Sequence, residues 1–418
     1  MTERFDVDPG HVAGYGRLCA DVSSDTNSIK GYLNLHASAS DGFDGLLMGE
    51  AIAPIVDEYA AATRDRFTTI GRVLHYTGRE LTNTAWTYLG ADRPDRFAKV
   101  VDSLGRGTYR VELDHPELVA FPHKVVTGTL DVPPLETATI DELMAEHAGD
   151  TLAAIETIVA TVTGIVGDEF SIMGEITDRV GGNWLALDQK ATALENVAEA
   201  AEKAAQGLAA EHGTLDRHWD GGAADSFGPY LDQVVAGTRY EGPLNRVIAG
   251  AYRAMALLVE QAAGLIVELV STGVDLLRKY ATGLAGKAAD AAWDLIKDFK
   301  PPWESLYEDW QQAKSLFVTA KNTATDVYEA VEALRELIEA TTSMTAATDY
   351  SVKTILADLE ATGELDEDTA DTAQGAYDTS REATDIAIEL APALAAAEEL
   401  AGNDGLENMP DHAFRGTS

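Results

Sequence analysis

The sequence has one cysteine and comparatively few basic residues. Cys19 has no partner for an intramolecular disulfide, and a cysteine-based zinc cluster cannot form. Lys and Arg number 31 against 70 Asp and Glu, which gives a formal net charge of −39. Nucleic-acid binding depends on basic side chains that neutralise phosphates, and anionic membrane surfaces repel acidic chains. We therefore expect no nucleic-acid partner.

Long uninterrupted apolar runs are also absent. The first ten residues contain no hydrophobic core, so we expect no Sec signal peptide. Four charged residues interrupt the most apolar stretch, 247–277, and these are Arg253, Glu260, Glu268 and Asp275. Because charges inside a bilayer are costly, this stretch predicts a buried helix and no stable membrane span.

Sequence motifs of catalysis are scarce. Neither a Gly-x-Ser-x-Gly elbow nor a His-Glu-x-x-His helix occurs, and the Gly-x-x-Gly-Lys run at 283–287 is too short for a phosphate loop. His115, His123 and His147 could in principle meet at a metal, but solvent-exposed loop histidines are the simpler interpretation. We expect no catalytic residue, no cofactor and no metal, and hence a non-enzymatic protein.

Apolar residues recur with helical period over most of the chain. The predicted helices span 8–36, 49–89, 140–166, 184–218, 223–299 and 303–340, with two shorter ones near 350–360 and 368–400. This pattern predicts an all-α fold of elongated antiparallel hairpins, arranged as a four- to five-helix bundle with additional C-terminal helices.

Local signals define several helix ends. Asp8 is a predicted N-cap, and Pro9 suits the first helical turn. Thr139 and Glu142 have the spacing of a capping box. The glycines within 41–45 predict a turn between the first two helices. We expect Cys19 to be a buried apolar residue of the first helix.

The helix 184–218 carries a heptad repeat. Its two seam positions are occupied by Leu187, Leu194, Ala201, Leu208 and Leu215, and by Ala191, Ala198 and Ala205. Small alanines let a partner helix approach closely, and the predicted partner is 49–89 or 223–260. Apolar surface left over on 243–280 then predicts self-association.

Prolines and glycines without helical period mark the segment 93–138. We expect a mobile linker there, with a short β-hairpin formed by 109–113 and 125–130. The predicted domains are a helical hairpin (1–92), this linker, a helical bundle (139–300), a C-terminal helical region (301–402) and a flexible tail (403–418).

Two short motifs lie at predicted helix ends. Trp219-Asp220-Gly221 separates two long helices, and Tyr88-x-x-x-Asp92 closes the first hairpin. Each is weak by itself, since about two Tyr-x-x-x-Asp/Glu matches and about half a Trp-x-Gly are expected by chance. Two further Tyr matches occur, at Tyr76/Glu80 and Tyr328/Glu332.

The placement of these motifs resembles the WxG superfamily of type VII secretion substrates. Residues 1–92 are similar to an EspC-like or PE-like hairpin, and 140–299 to a WxG-bearing PPE-like half, in a fused arrangement like that of EspB. The resemblance implies a composite export signal made of Trp219 and Gly221 with Tyr88 and Asp92. It also implies a type VII secretion ATPase or chaperone as partner, self-association, and a secreted or cell-surface location.

Three functions remain open on the sequence. The first is a secreted structural or interaction protein of a type VII system. The second is a type VII-delivered toxin whose effector lies in 301–418, although that region has no catalytic cluster. The third is a cytoplasmic acidic coiled-coil scaffold or chaperone in which both motifs are coincidental.

Overall fold

The computed structural model describes residues 7–92, 118–123, 126–148, 152–166, 170–172, 176–284 and 303–361. All regular elements among these residues are helices, so the all-α prediction is confirmed. They are α1 (Pro9–Tyr32), α2 (Ala53–Asp92), α3 (Ile140–Ala148), α4 (Leu152–Val166), α5 (Leu185–Asp216), α6 (Gly222–Leu284) and α7 (Trp303–Ala361). π-helical turns at Leu33–Ala37 and Gly45–Ile52 lie between α1 and α2.

The helix bounds agree with the sequence pattern in most places and depart from it in three. Two helices, α3 and α4, occupy the range predicted as one, and α7 continues through the shorter helix predicted near 350–360. Val126–Thr129 forms a 3-10 turn, so the strand predicted there is wrong. The predicted strand at 109–113 and the predicted helix at 368–400 lie outside the described residues.

The predicted helix-end signals are confirmed. Asp8 caps α1 by accepting a hydrogen bond from Gly10 N at 2.9 Å. The Thr139 and Glu142 side chains bond each other's backbone N–H at 3.3 and 3.1 Å, which is the reciprocal pattern of a capping box. Gly42 adopts a φ of +93° in the turn after α1, where a side chain would be strained.

Helices α1, α2, α5 and α6 form a bundle with two distinct ends. At the end called here the tip, α1 and α6 begin and α2 and α5 end, so α2 and α5 run parallel. At the opposite end, the base, the loop after α1 contacts the start of α5, with Asn183 N donating to Gly42 O at 2.9 Å. Beyond the base α6 continues. Helices α3, α4 and α7 pack on α6, and α7 also packs on α2.

Helix α5 is buried along two adjacent stripes, of which the heptad seam is one. Every seam residue predicted from the sequence is buried. A second buried stripe comprises Ala186, Lys190, Ala193, Val197, Ala200, Ala204 and Gly207. Beside the seam, Glu195 and Glu202 form ion pairs with Arg253 and Arg246 of α6, so the seam faces α6. Lys190 of the second stripe donates to Ser40 Oγ of the first hairpin at 2.8 Å.

One buried ion pair fixes α2 against α6. The Arg66 and Glu241 side chains are 5% and 3% exposed, and Arg66 Nε lies 2.6 Å from Glu241 Oε1. Asn245 Nδ2 donates to Glu241 Oε2 at 3.3 Å. Burial by itself lowers the pKa of Arg66, but the Glu241 carboxylate raises it above its usual value, so the guanidinium stays charged. The pair therefore sets the register of two helices from different hairpins.

The second half of the predicted linker is held against the bundle as a strap, defined here as residues 118–123 and 126–138. Val119 N donates to Gly10 O at 3.0 Å, and Tyr32 Oη and Asn196 Nδ2 both donate to Asp131 O, at 2.6 and 3.0 Å. The strap therefore bridges α1 and α5. The sequence pattern predicted a mobile tether, whereas these residues are hydrogen-bonded to side chains of both helices and to the backbone of α1.

Helix α6 is apolar enough to resemble a membrane span by length and composition. Its segment Gly222–Arg278 has an 18-residue window of mean hydropathy 1.6, half of which is buried. Core helices of soluble proteins share this property, and here α5, α3, α4 and α7 pack on α6. The apolar surface from which self-association was predicted is thus largely covered within the chain. Val247 and Leu257 are its exposed large hydrophobic residues among the described part of α6.

Replacing Ala201 by Asp should destabilise the bundle. Ala201 is fully buried in the middle of the seam, and a charge without a partner there should lower the free energy of unfolding by about 3–5 kcal/mol. Ala209→Asp, at an exposed position of the same helix, is the control and should change it by less than about 0.5 kcal/mol. Urea unfolding followed by circular dichroism measures both. Equal midpoints for the two variants would contradict the burial of the seam.

Glu241→Gln tests the buried ion pair while keeping the side-chain shape. The Arg66 charge would then be buried without a counter-charge, and the free energy of unfolding should fall by about 3 kcal/mol or more. Glu202→Gln is the matched control, since its exposed pair with Arg246 should contribute at most about 1 kcal/mol. A double variant, Arg66→Met with Glu241→Leu, should recover most of the loss in the same measurement, because it removes both charges. A loss for Glu241→Gln no larger than that for Glu202→Gln would contradict this account.

Candidate functional site

Three separate parts of the chain meet at the tip. They are residues 7–11 at the start of α1, the last turns of α2, and the turn 217–221 between α5 and α6. Val7 and Trp219 form an isolated antiparallel bridge, and Asp8 N donates to His218 O at 2.8 Å. The start of the first hairpin is therefore attached by its backbone to the turn of the second.

The two motifs singled out in the sequence are in contact at this tip. The indole Nε1 of Trp219 donates to Tyr88 Oη at 3.3 Å. This contact requires α2 and α5 to end on the same side of the bundle, so the two helices run parallel. Asp92 is the last residue of α2, one turn beyond Tyr88, so its backbone lies at the same tip. The side chain of Asp92 is outside the described part.

The other two Tyr-x-x-x-Glu matches lie elsewhere. Tyr76 is 12 residues before Tyr88 on α2, or about 18 Å along the helix at about 1.5 Å per residue. Tyr328 lies on α7, and its hydroxyl donates to Arg179 O at 3.0 Å near the base. Of the three matches, Tyr88 is the one that the fold brings to Trp219.

Trp219 is part of the core. The side chain is 5% exposed and packs against the ring of Phe227 at a centroid distance of 5.5 Å. Trp219 therefore closes the bundle, and the exposed residues of this turn are Arg217, His218 and Asp220.

Gly221 is required by the backbone geometry of the turn. Its φ is +106°, in the left-handed region that side chains disfavour. The chain reverses at this residue and enters α6 at Gly222. The spacing Trp-x-Gly therefore has a local explanation: the indole is buried beneath the turn while the glycine two residues later permits the reversal.

A cluster of three polar residues beside Trp219 was not identified from the sequence. Asp8, His11 and His218 each place one potential metal-ligating atom within 4.8 Å of the others. The His11 and His218 rings are stacked, with centroids 3.7 Å apart and planes 11° from parallel. Burial tends to raise the pKa of Asp8, but the Gly10 N–H and the two histidines outweigh it and hold the pKa below its usual value. Asp8 and His218 are distant in sequence, so spacing alone gave no signal.

Of the three histidines considered as metal ligands from the sequence, His123 is the one whose side chain the structure describes. His123 Nε2 lies 2.7 Å from Asp25 Oδ2, where it joins the strap to α1. His115 is outside the described residues, as is the side chain of His147. Cys19 is buried as predicted, and burial raises the pKa of its thiol to about 12, which leaves it unreactive at neutral pH.

Two adjacent glycines offer a matched test of the turn. Gly221→Ala should lower the free energy of unfolding by about 1–3 kcal/mol, because alanine is strained at this φ. Gly222→Ala is the control: an added Cβ meets no atom within 4 Å, and the smaller entropy of the unfolded chain should stabilise the protein by up to about 1 kcal/mol. Thermal unfolding of both variants measures this difference in sign. Two destabilised variants, or two neutral ones, would contradict it.

Comparison with known proteins gives no match, whether to family models, to curated proteins or to solved structures. The functional interpretation of the tip therefore depends on its residues and their geometry.

Proposed function

We propose that the protein is an exported substrate of a type VII secretion system, with a structural or interaction role. The observation that carries the proposal is the contact between Trp219 Nε1 and Tyr88 Oη at the shared end of two parallel helices. In the WxG superfamily, which the sequence resembles, the export signal is composite and takes one part from each of two hairpins. Here the two hairpins belong to one chain.

The spatial coincidence adds to what the motifs alone provide. A Trp-x-Gly and a Tyr-x-x-x-Asp each occur in many unrelated sequences by chance. The occurrence of both motifs does not decide whether they share one end of the bundle. An antiparallel packing of α2 and α5 would separate them by the length of a helix. With about 1.5 Å per residue, the 32 residues of α5 alone span about 48 Å. A single receptor can therefore contact both motifs only in the parallel arrangement.

In this proposal Trp219 acts by positioning. Its buried ring holds the turn and the end of α2 together, and the secretion ATPase or a chaperone contacts the exposed neighbours, which include His218 and Asp220. Asp92 at the end of α2 completes the signal. Rigid presentation of these neighbours lowers the entropy cost of binding. Loss of Trp219 therefore weakens recognition even though the indole does not contact the partner. The exported protein is then secreted or kept at the cell surface.

A second function, an acidic cytoplasmic scaffold, is favoured by one observation. Trp219 and Gly221 are both explained by the local requirements of a closed turn, with no receptor needed. A toxin with its effector in 301–418 is less well supported, because α7 supplies Trp310, Phe317 and Ile338 to the common core. Helix α7 is therefore packed into the common core, whereas a separate effector domain would have a core of its own.

Export in a host with a functional type VII system tests the proposal. Trp219→Ala and Tyr88→Ala should each reduce the fraction of protein in the culture medium by at least about tenfold, corresponding to about 1.4 kcal/mol of lost recognition. Trp219→Phe keeps an apolar ring in the core and should retain more export than Trp219→Ala. Tyr76→Ala is the control, since Tyr76 begins the matching motif on the same helix but lies away from the tip.

The comparison requires folded variants, so the helical circular dichroism of each purified protein is measured alongside. Export of Trp219→Ala and Tyr88→Ala at the level of Tyr76→Ala, with all three folded, would contradict the export signal. The absence of wild-type protein from the medium would instead favour the cytoplasmic scaffold. Deletion of the secretion ATPase should abolish export of the wild-type chain.

A further inference from the structure

The cluster of Asp8, His11 and His218 has the composition of a transition-metal site. It offers two imidazoles and one carboxylate, and one ligating atom of each residue lies within 4.8 Å of the other two. Imidazole with carboxylate suits Zn²⁺, Co²⁺ and Ni²⁺ better than Ca²⁺ or Mg²⁺, which prefer oxygen ligands alone. Among the described residues, this is where three such groups from two different hairpins converge.

One side of the cluster faces the protein and the other faces solvent. His11 Nδ1 is buried and lies 2.9 Å from Asp8 Oδ2. The Asp8 side chain is 47% exposed, so its carboxylate has free coordination capacity on the solvent side. A buried nitrogen next to a half-exposed carboxylate and an exposed imidazole leaves the solvent side of the cluster open to an ion and its waters.

The backbone holds the three residues in place, and one side chain can adapt. Asp8 is fixed by its cap on Gly10 and by the bond from its N–H to His218 O. The stacked imidazoles have nearly parallel planes, whereas two rings bound to one ion must turn their nitrogens toward a common point. His218 is exposed, so its ring can rotate away from His11 without disturbing the core.

We propose that Asp8, His11 and His218 bind a divalent transition-metal ion, and that Zn²⁺ is the best-suited ion. The ion joins the start of α1 to the turn before Trp219. Water completes the coordination, as is usual where a protein supplies three ligands. Because the same backbone segment carries the Val7–Trp219 bridge, the ion stabilises the closed tip. This site does not depend on the proposed export function.

Metal titration of the full chain, produced without a polyhistidine tag, tests the proposal. Zn²⁺ is titrated by calorimetry, and Co²⁺ is followed by its visible absorption, which reports coordination by nitrogen and oxygen. One ion should bind per chain, and the melting temperature should rise with Zn²⁺ concentration, since an ion that binds the folded state stabilises it. Ca²⁺ at the same concentrations should produce no comparable rise.

Two conservative variants and one control identify the ligands. His218→Gln removes an exposed ligand, and Asp8→Asn removes the carboxylate while keeping a good N-cap, so both should fold. Each should raise the Kd for Zn²⁺ by at least about tenfold, as changes around metal sites commonly do. His75→Gln, at an exposed histidine on α2, should leave the Kd unchanged. No binding by the wild-type chain, or equal binding by all the variants, would overturn the proposal.

Amide hydrogen exchange provides a readout that is independent of affinity. If the ion clamps the tip, Zn²⁺ should slow the exchange of Asp8 N–H, which donates to His218 O, in the wild-type chain and in His75→Gln. The same amide should be unaffected by Zn²⁺ in His218→Gln. Protection that appears equally in His218→Gln would place the ion elsewhere and would contradict the site.

Discussion

The packing of α5 on two sides is the constraint on which the arrangement of the other helices depends. A helix with one apolar stripe can pack against one neighbour, but α5 is buried along two stripes and contacts both α6 and the first hairpin. Alanine at most of these positions makes this possible, since small side chains allow two neighbours to approach one helix closely. Replacing these alanines with larger residues would force one neighbour away and separate the hairpins.

Because α5 packs on both α6 and the first hairpin, both ends of the bundle are built from residues distant in sequence. At the base, Asn183 contacts the loop after α1 and the strap, accepting from Ala138 N at 3.0 Å. At the tip, residues 7–11 and the turn 217–221 are joined by backbone bonds. Between them the buried pair of Arg66 and Glu241 sets the register of α2 on α6. The tip is thus held by contacts along the whole bundle.

In this architecture Trp219 connects the two hairpins at the tip. Its ring contacts Phe227 of α6, and its N–H reaches Tyr88 of α2, so one side chain connects helices of both hairpins. Gly221 then turns the chain and leaves Asp220 exposed. A surface presented in this way is preorganised, which favours recognition by a partner. The proposed ion at Asp8, His11 and His218 would stabilise the same surface from its other side.

The sequence by itself determined the helical fold, the seam of α5, the caps at Asp8 and Thr139 and the turn glycines, because each depends on residues within a few turns of one another. Helical period and capping are local properties that the chain carries wherever it packs. The sequence also identified Tyr88 and Trp219 as residues of interest, but their contact is decided by the direction in which α2 packs relative to α5, which periodicity does not encode. The contacts of the strap could not be predicted for a related reason: proline-rich segments without period look like free linkers. The bonds that hold this one, such as those from Tyr32 and Asn196 to the Asp131 carbonyl, come from helices distant in sequence. The cluster with His218 was missed because its members come from two hairpins, and convergence of distant residues is a property of the tertiary structure alone.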